Sequence, residues 1–250
     1  PSKTVDSSDT YFGVTYHDPY RWMEHISEPE VSGWFKSQAD YTNSIINNLN
    51  GRDELIAEWV QLDKLQPARI RNVMYEGGRL FYRKTMPGEK VGKLYYREGM
   101  NGKEVLLFDP SAYIAGKTLT LSSGIPSFDG KKIAISYTQE GAEVDVIKVM
   151  NVDTRQFLKD SVFPSAGFNT WTYDSKSFCY MWIQNADNKD PNSRLNPKSK
   201  MHKVGDVQEN DIDFFSNGSY PELNIEPAVY HFVYLSKDAH QYIFFVIGSV

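Results

Sequence analysis

Ser127-Phe128-Asp129-Gly130-Lys131-Lys132-Ile133-Ala134-Ile135 is a polar turn built around an aspartate that runs straight into an apolar strand. The same order of features returns in Trp171-Thr172-Tyr173-Asp174-Ser175-Lys176-Ser177-Phe178-Cys179-Tyr180 and in Leu235-Ser236-Lys237-Asp238-Ala239-His240-Gln241-Tyr242-Ile243-Phe244. A degenerate first copy stands at Tyr75-Glu76-Gly77-Gly78-Arg79-Leu80-Phe81-Tyr82. An interval of roughly 45 to 65 residues suits one four-stranded propeller blade with variable loops. Hairpins of a β-sandwich would carry similar words, so the repeat alone leaves that architecture open while the interval favours the propeller.

Around these words, period-two alternation or short apolar runs predict strands at 70–75, 79–84, 94–97, 105–108, 133–137, 144–150, 178–183 and 242–247. Turn words separate them: Glu76-Gly77-Gly78, Pro87-Gly88, Asn101-Gly102, Asp129-Gly130 and Asn217-Gly218, in which glycine is expected to supply a positive φ. The stretch 185–199, rich in Asn, Asp, Lys and Pro, reads as a long loop inside the third blade. The fold class is therefore mainly β, with about three and a half blades of a partial propeller over 67–250. An unfinished fourth blade would leave a face and strand edges open, so a piece of a longer polypeptide is expected.

Residues 1–66 read differently. Val31, Trp34, Phe35, Ala39, Thr42, Ile45, Ile46 and Leu49 recur at helical spacing, with Ser27 and Glu30 as a capping box, Pro29 in the first turn and a stop at Asn50-Gly51. Leu55, Ile56, Trp59, Val60 and Leu62 predict a second helix that ends before Gln66-Pro67, because a residue preceding proline is pushed out of the α region. Ahead of this helical hairpin, Thr10-Tyr11-Phe12-Gly13 and Asp18-Pro19-Tyr20-Arg21-Trp22-Met23-Glu24 form an arm expected to bury aromatics on a neighbouring domain, with Arg21 available to pair a carboxylate.

The 250 residues are 40% hydrophobic and 24% charged, an ordinary globular composition. A net charge of -5 argues against a broad footprint for nucleic acid. The longest unbroken apolar run, 243–247, falls far short of the roughly 20 residues that cross a bilayer. The single cysteine, Cys179, excludes an internal disulfide or a Cys-x-x-Cys site and reads as a small core residue of a strand. The chain begins at Pro1; a cytoplasmic location is expected, with periplasmic or secreted as the alternative.

Few words in the chain point to chemistry. No Gly-x-Ser-x-Gly elbow occurs, and His17, His25, His202, His231 and His240 have no such serine beside them, so no catalytic residue is assigned within the chain. Glu24, His25 and Glu28 read as a solvated turn rather than a metal site, and neither metal nor cofactor is expected. Ala115-Gly116-Lys117-Thr118 lacks the first glycine of a phosphate-binding loop, whose place Ser111 holds, and reads as a turn. Asn217-Gly218-Ser219 is a formal glycosylation sequon read structurally, as a hairpin turn.

Tyr11-Phe12-Gly13, Asp18-Pro19-Tyr20-Arg21-Trp22-Met23-Glu24, the helix with Trp34 and Gln38, Leu107-Phe108-Asp109-Pro110 and Ser127-Phe128-Asp129-Gly130 together resemble the N-terminal half of the prolyl oligopeptidases, in order and in spacing. Met23 stands in place of the usual Leu, and Phe128 in place of the usual Pro. The resemblance implies a serine endopeptidase that cleaves short peptides on the carboxyl side of proline, in which a seven-bladed propeller gates access to an α/β-hydrolase domain. It also implies a Ser, Asp and His triad downstream of Val250, a segment that is inactive alone, and a monomeric parent. Residues 1–66 would then lie on the hydrolase domain, and 67–250 would supply blades one to three and part of the fourth. Its implied partners are short peptide substrates and the C-terminal hydrolase domain, with neither nucleic acid nor membrane.

The family's usual Phe, Met and Arg of the substrate pocket align with Ala166, Tyr230 and Gly248, none of which matches. Phe168 and Tyr230 are the candidate substrate-binding residues, with Phe163 a further substitute for the first position. The alternative function is a catalytically inactive propeller module that binds peptide or protein partners.

Overall fold

The computed structural model describes residues 2–117, 119–139, 141–187, 190–238 and 240–248. Thr118 of the Gly-Lys-Thr word, Ala239 of the last repeat copy and two positions of the 185–199 loop, Asn188 and Lys189, lie outside the described residues. The backbone forms two compact units, Pro1–Leu65 and Gln66–Val250.

In the first unit β1 (Ser8–Tyr11) and β2 (Val14–His17) pair antiparallel through a turn in which Phe12 and Gly13 both take positive φ. Arg21, in the 3₁₀ turn Arg21–Glu24, finds its carboxylate within the arm, pairing with Asp9 and lying 3.9 Å from Asp18. Trp22 packs edge-on to Trp34, with ring centroids 5.9 Å apart, and its indole N–H donates to the Lys3 carbonyl at 3.0 Å. Helix α1 (Pro29–Ile46) starts at Pro29, with Glu28 rather than Ser27 as its cap. Proline at the first helical position holds Glu28 extended, at φ -73 and ψ 134, and the capping box does not form. Glu30 instead accepts from Lys3 Nζ at 2.8 Å. Gly51, at φ +79, reverses the chain, and helix α2 (Arg52–Leu65) stops just before Gln66-Pro67 as expected. Tyr41, Ile45, Leu49, Leu55, Trp59 and Leu62 remain exposed along the two helices.

The second unit begins with a four-stranded antiparallel blade: β3 (Arg69–Glu76), β4 (Arg79–Thr85), β5 (Lys93–Glu98) and β6 (Val105–Phe108). After a helical turn α3 (Pro110–Tyr113), started by Asp109 accepting from the Ser111 N–H at 2.9 Å, come β7 (Leu119–Pro126), β8 (Lys132–Gln139), β9 (Asp145–Asn151) and β10 (Gln156–Trp171). Strands β11 (Ser177–Trp182), β12 (Lys198–Lys203) and β13 (Ile212–Ser216) complete the third blade. The pair β14 (Tyr230–Leu235) and β15 (Ile243–Gly248) opens a fourth. Strand β10 is shared: Gln156 to Ser165 pairs with β9 and Ser165 to Trp171 with β11, so β7 to β13 form one continuous seven-stranded sheet. The chain belongs to the mainly β, open-propeller class that the repeats predict, with sheets that do not close on one another.

The repeated aspartate has a clear local task. Asp129 Oδ1 accepts from Ser127 Oγ (2.6 Å) and the Lys131 N–H (3.0 Å), and Asp174 Oδ1 accepts from Thr172 Oγ1 (2.7 Å) and the Lys176 N–H (3.0 Å). Ser175 takes the positive φ that Gly130 holds one blade earlier, and its hydroxyl accepts from the Asp129 N–H at 3.2 Å, joining the two turns. A Cβ on Gly77 would lie 2.1 Å from the Asp129 carbonyl oxygen, so the first-blade turn also rests on the second. Not every glycine word behaves alike: Gly102 and Gly218 do not take positive φ, and Asn217-Gly218 leads from the third blade toward the fourth rather than closing a hairpin.

Blade faces bury Phe81, Leu94, Phe108, Leu121, Ile133 and Met150 in one cluster, and Ile147, Val162, Trp171, Phe178 and Tyr180 in the next. Beside the second cluster lies a buried polar group. His202 Nδ1 is 2.7 Å from Asp211 Oδ1 and His202 Nε2 is 3.0 Å from Asp160 Oδ1, while Tyr180 donates to Asp211 Oδ2 at 2.8 Å. Asp160 sits on β10 and His202 on β12, so the triad joins the second blade to the third. Burial alone would lower the His202 pKa, but the two carboxylates win and push it up to about 9, and Asp160 is held below the usual carboxylate range. A histidine raised from 6.5 contributes stability fully below pH 6.5 and loses it as the pH rises through about 9. Urea unfolding is therefore expected to show stability falling between pH 6.5 and 9, with that slope reduced in Asp160→Asn. His202→Ala, which leaves two buried carboxylates, is expected to lose about 3–5 kcal/mol.

Candidate functional site

Strand order divides each blade into two ends. The aspartate turns gather at one; at the other lie the connections β4–β5, β8–β9 and β11–β12, where length and chemistry vary. Hydrogen bonds anchor the described residues of the β11–β12 loop. Gln184 Nε2 donates to the Leu195 carbonyl (2.8 Å), Asn185 Nδ2 to Asp190 Oδ2 (2.7 Å), and the Asn196 N–H to the Pro227 carbonyl (2.7 Å). These bonds carry Arg194 to a shallow cavity of about 370 Å³ lined by Glu143, Arg194, Leu195, Ala228 and Tyr230. Its Nη2 donates to both the Glu143 carbonyl and carboxylate at 3.2 Å, and its Nη1 to the Tyr230 hydroxyl at 3.4 Å. The cavity thus offers a guanidinium paired with the Glu143 carboxylate and a phenol beside Leu195 and Ala228, a setting that can bind a peptide carbonyl beside an apolar side chain.

The candidates from sequence separate in space. Tyr230 lines this cavity, and its cross-strand partner is Gly248 at the far end of β15. Phe168 is committed elsewhere: it pairs with Tyr180 and packs on Trp171 (5.7 Å) and Phe178 (5.4 Å) inside the third blade. Phe163 is exposed, with its N–H donating to Gln208 Oε1 at 3.0 Å, and Ala166 is half-buried. Arg194 carried no signal in sequence, being one charged residue in a polar loop.

Among the described residues, the pairs that most resemble nucleophile chemistry are sequestered. Ser199 Oγ lies 2.8 Å from His231 Nδ1, which resembles a catalytic dyad, but both residues are fully buried and His231 Nε2 is bound to the Pro197 carbonyl at 2.9 Å. Burial pushes the His231 pKa down, so the ring is neutral and joins β12 to β14. Cys179 is buried in β11 and desolvation pushes its thiol up to about 12, leaving it an inert core residue. Among the described residues no group of three His, Cys, Asp or Glu is placed to hold a metal ion, and no helix is long and apolar enough to cross a membrane. The sequon asparagine is occupied: Asn217 Nδ2 donates to the Glu226 carbonyl at 2.5 Å.

A family model described as "Prolyl oligopeptidase, N-terminal beta-propeller domain" matches residues 1–249. The chain belongs to this family. Prolyl oligopeptidase relatives agree. A prolyl endopeptidase of Elizabethkingia meningoseptica is 22% identical over 226 residues, which is 90% of this chain and 32% of the relative. The dual function macrocyclase-peptidase POPB of Galerina marginata is 27% identical over 272 residues, 95% of this chain and 37% of the relative. A solved prolyl endopeptidase structure superposes with a TM-score of 0.83 at 27% identity, covering 99% of this chain and 36% of that one. The chain therefore spans about a third of the length of the relatives it matches.

In this prolyl oligopeptidase propeller the Arg194–Glu143 pair is exposed enough for water and salt to screen it, so its worth is local order. Arg194→Ala is expected to change the unfolding free energy by less than about 1 kcal/mol while increasing thermolysin cleavage within 183–197 several-fold, as read by mass spectrometry of the fragments.

Proposed function

We propose that this chain is the N-terminal arm, helices and first blades of a serine endopeptidase that hydrolyses short peptides on the carboxyl side of proline. The propeller limits entry to the active site, and an α/β-hydrolase domain of the same polypeptide supplies Ser, Asp and His: Ser attacks the scissile carbonyl, His moves the proton and Asp orients the His. The observation that carries this reading is apolar surface left uncovered on each unit. On the helices Trp59 is 63% exposed alongside Leu55 and Leu62, and on β15 Phe244 is 52% exposed alongside Val246 and Ile247. Faces of this kind are the ones a further domain and further strands cover. Arg194 beside Tyr230 supports a peptide-binding role, because its guanidinium can take a substrate carbonyl at a rim where Gly248 has no side chain to offer.

The test compares two lengths of the polypeptide. The longer reading frame, expressed with the segment after Val250, is expected to cleave a chromogenic post-proline peptide and to be blocked by a serine-directed inhibitor, while the 250-residue chain gives no turnover. Sustained, inhibitor-sensitive turnover by the 250-residue chain would overturn the division of labour. A following segment without a Gly-x-Ser-x-Gly elbow would leave an inactive peptide- or protein-binding module instead.

A further inference from the structure

The β3–β4 hairpin carries a concentration of positive charge that peptide hydrolysis does not use. In its register Arg69 faces Thr85 and Arg71 faces Arg83. Residues two apart on a strand share a face, so three arginines and a threonine hydroxyl stand on one side of the hairpin. Lys90, from the β4–β5 loop, completes a cavity of about 290 Å³, none of whose lining residues is acidic.

Like charges directly opposite one another in a ladder destabilise it, and Arg71 opposite Arg83 is such a pair. Burial and the Arg71 charge both push the Arg83 pKa down. Arg83 is nevertheless held in place, with Nη1 donating to the Leu121 carbonyl at 3.0 Å. A Cβ on Gly92 would come within 2.6 Å of Arg83 Nε and Thr85 Oγ1, so glycine lets the loop close down on the cluster. The carboxylate of that loop, Glu89, is committed to Lys93 Nζ (2.8 Å) and the Met86 N–H (2.8 Å). Among the described residues the side chains of Arg71 and Lys90 have no hydrogen-bond or ion-pair partner. A chain of net charge -5 does not acquire such a cluster through general basicity.

Guanidinium groups present paired N–H donors that match two oxygens of one phosphate or carboxylate. A peptide carbonyl would satisfy donors without offsetting charge, and a lone carboxylate would offset only part of it. We propose that the β3–β4 face is a binding site for a multiply charged oxyanion, either a phosphate or pyrophosphate group or adjacent carboxylates of an acidic peptide, held by Arg71, Arg83 and Lys90. The site lies at the variable end of the first blade and does not depend on the peptidase reading.

The experiment titrates sodium pyrophosphate, and separately a hexaglutamate peptide, into the 250-residue chain at an ionic strength held constant with KCl, by calorimetry and thermal unfolding. Saturable binding of at least one ligand with a raised Tm is expected. Binding of pyrophosphate alone assigns the site to free phosphate groups, and binding of hexaglutamate alone assigns it to acidic peptides. Arg71→Gln is expected to weaken binding about tenfold and, by removing the opposed charge, to raise the Tm of the anion-free protein; loss of a merely structural arginine would lower it. Lys90→Gln, at an exposed loop position, is expected to weaken binding about threefold with the anion-free Tm unchanged, and it decides the matter if the first variant folds poorly. No saturable binding of either ligand, unchanged affinity in the variants, or a Tm rise that KCl alone reproduces overturns the proposal.

Discussion

Because β10 is the outer strand of the second blade and the inner strand of the third, neither blade can be set without the other. The strand changes partner around Ser165, where the register slips on both sides and Gly167 takes φ +119. Ladder bonds are broken at that passage, and side chains take over the alignment. Trp171 reaches back with its indole N–H to the Ile125 carbonyl at 3.0 Å, and Asp160 reaches His202 on β12. A buried imidazolium between two carboxylates is costly to break, so it ties the second-blade part of β10 to β12 of the third blade within the one continuous sheet. The same economy appears one blade later, where neutral His231 joins β12 to β14 through Ser199.

The two ends of the blades follow different rules. At one end the Ser/Thr-x-Asp turn repeats because its task repeats: to close a tight turn and to meet the turn of the adjacent blade. At the other end the connections are free to differ, since each needs only to return the chain to the next strand. The Arg194 cavity and the arginine face of β3 and β4 both sit there. Each gathers charge at that end, where Arg83 reaches the Leu121 carbonyl of the next blade and Arg194 reaches Glu143 and Tyr230.

Much of this was legible in residue order. The aspartate words located the turns, Gln66-Pro67 located the end of α2, and Cys179 read correctly as core. The strands β1, β2, β7, β10, β12, β13 and β14 were not legible, and three of them show why. Ser122, Ser123 and Gly124 interrupt the apolar pattern of β7; Pro164 and Gly167 interrupt β10; and β12 reads as Lys-Ser-Lys-Met-His-Lys, a polar segment. Its Ser199 and His202 are nevertheless fully buried, because their partners come from β10, β14 and the segment before β13. The start of α1 was misplaced for a local reason, since Pro29 outranks the Ser27–Glu30 pairing by holding Glu28 extended.

Sequence by itself determined the class of fold, the blade repeat, the helical hairpin and the family, because each rests on local periodicity or on short words whose geometry is set within a few residues. The tertiary structure alone decided which buried polar groups are satisfied, that Phe168 belongs to a blade interior while Tyr230 lines a cavity, and that Arg194 stands beside it. It also brought Arg71 opposite Arg83, since that juxtaposition depends on strand register. Register is a long-range property, settled by which faces the blades bury, and no short stretch of sequence carries it.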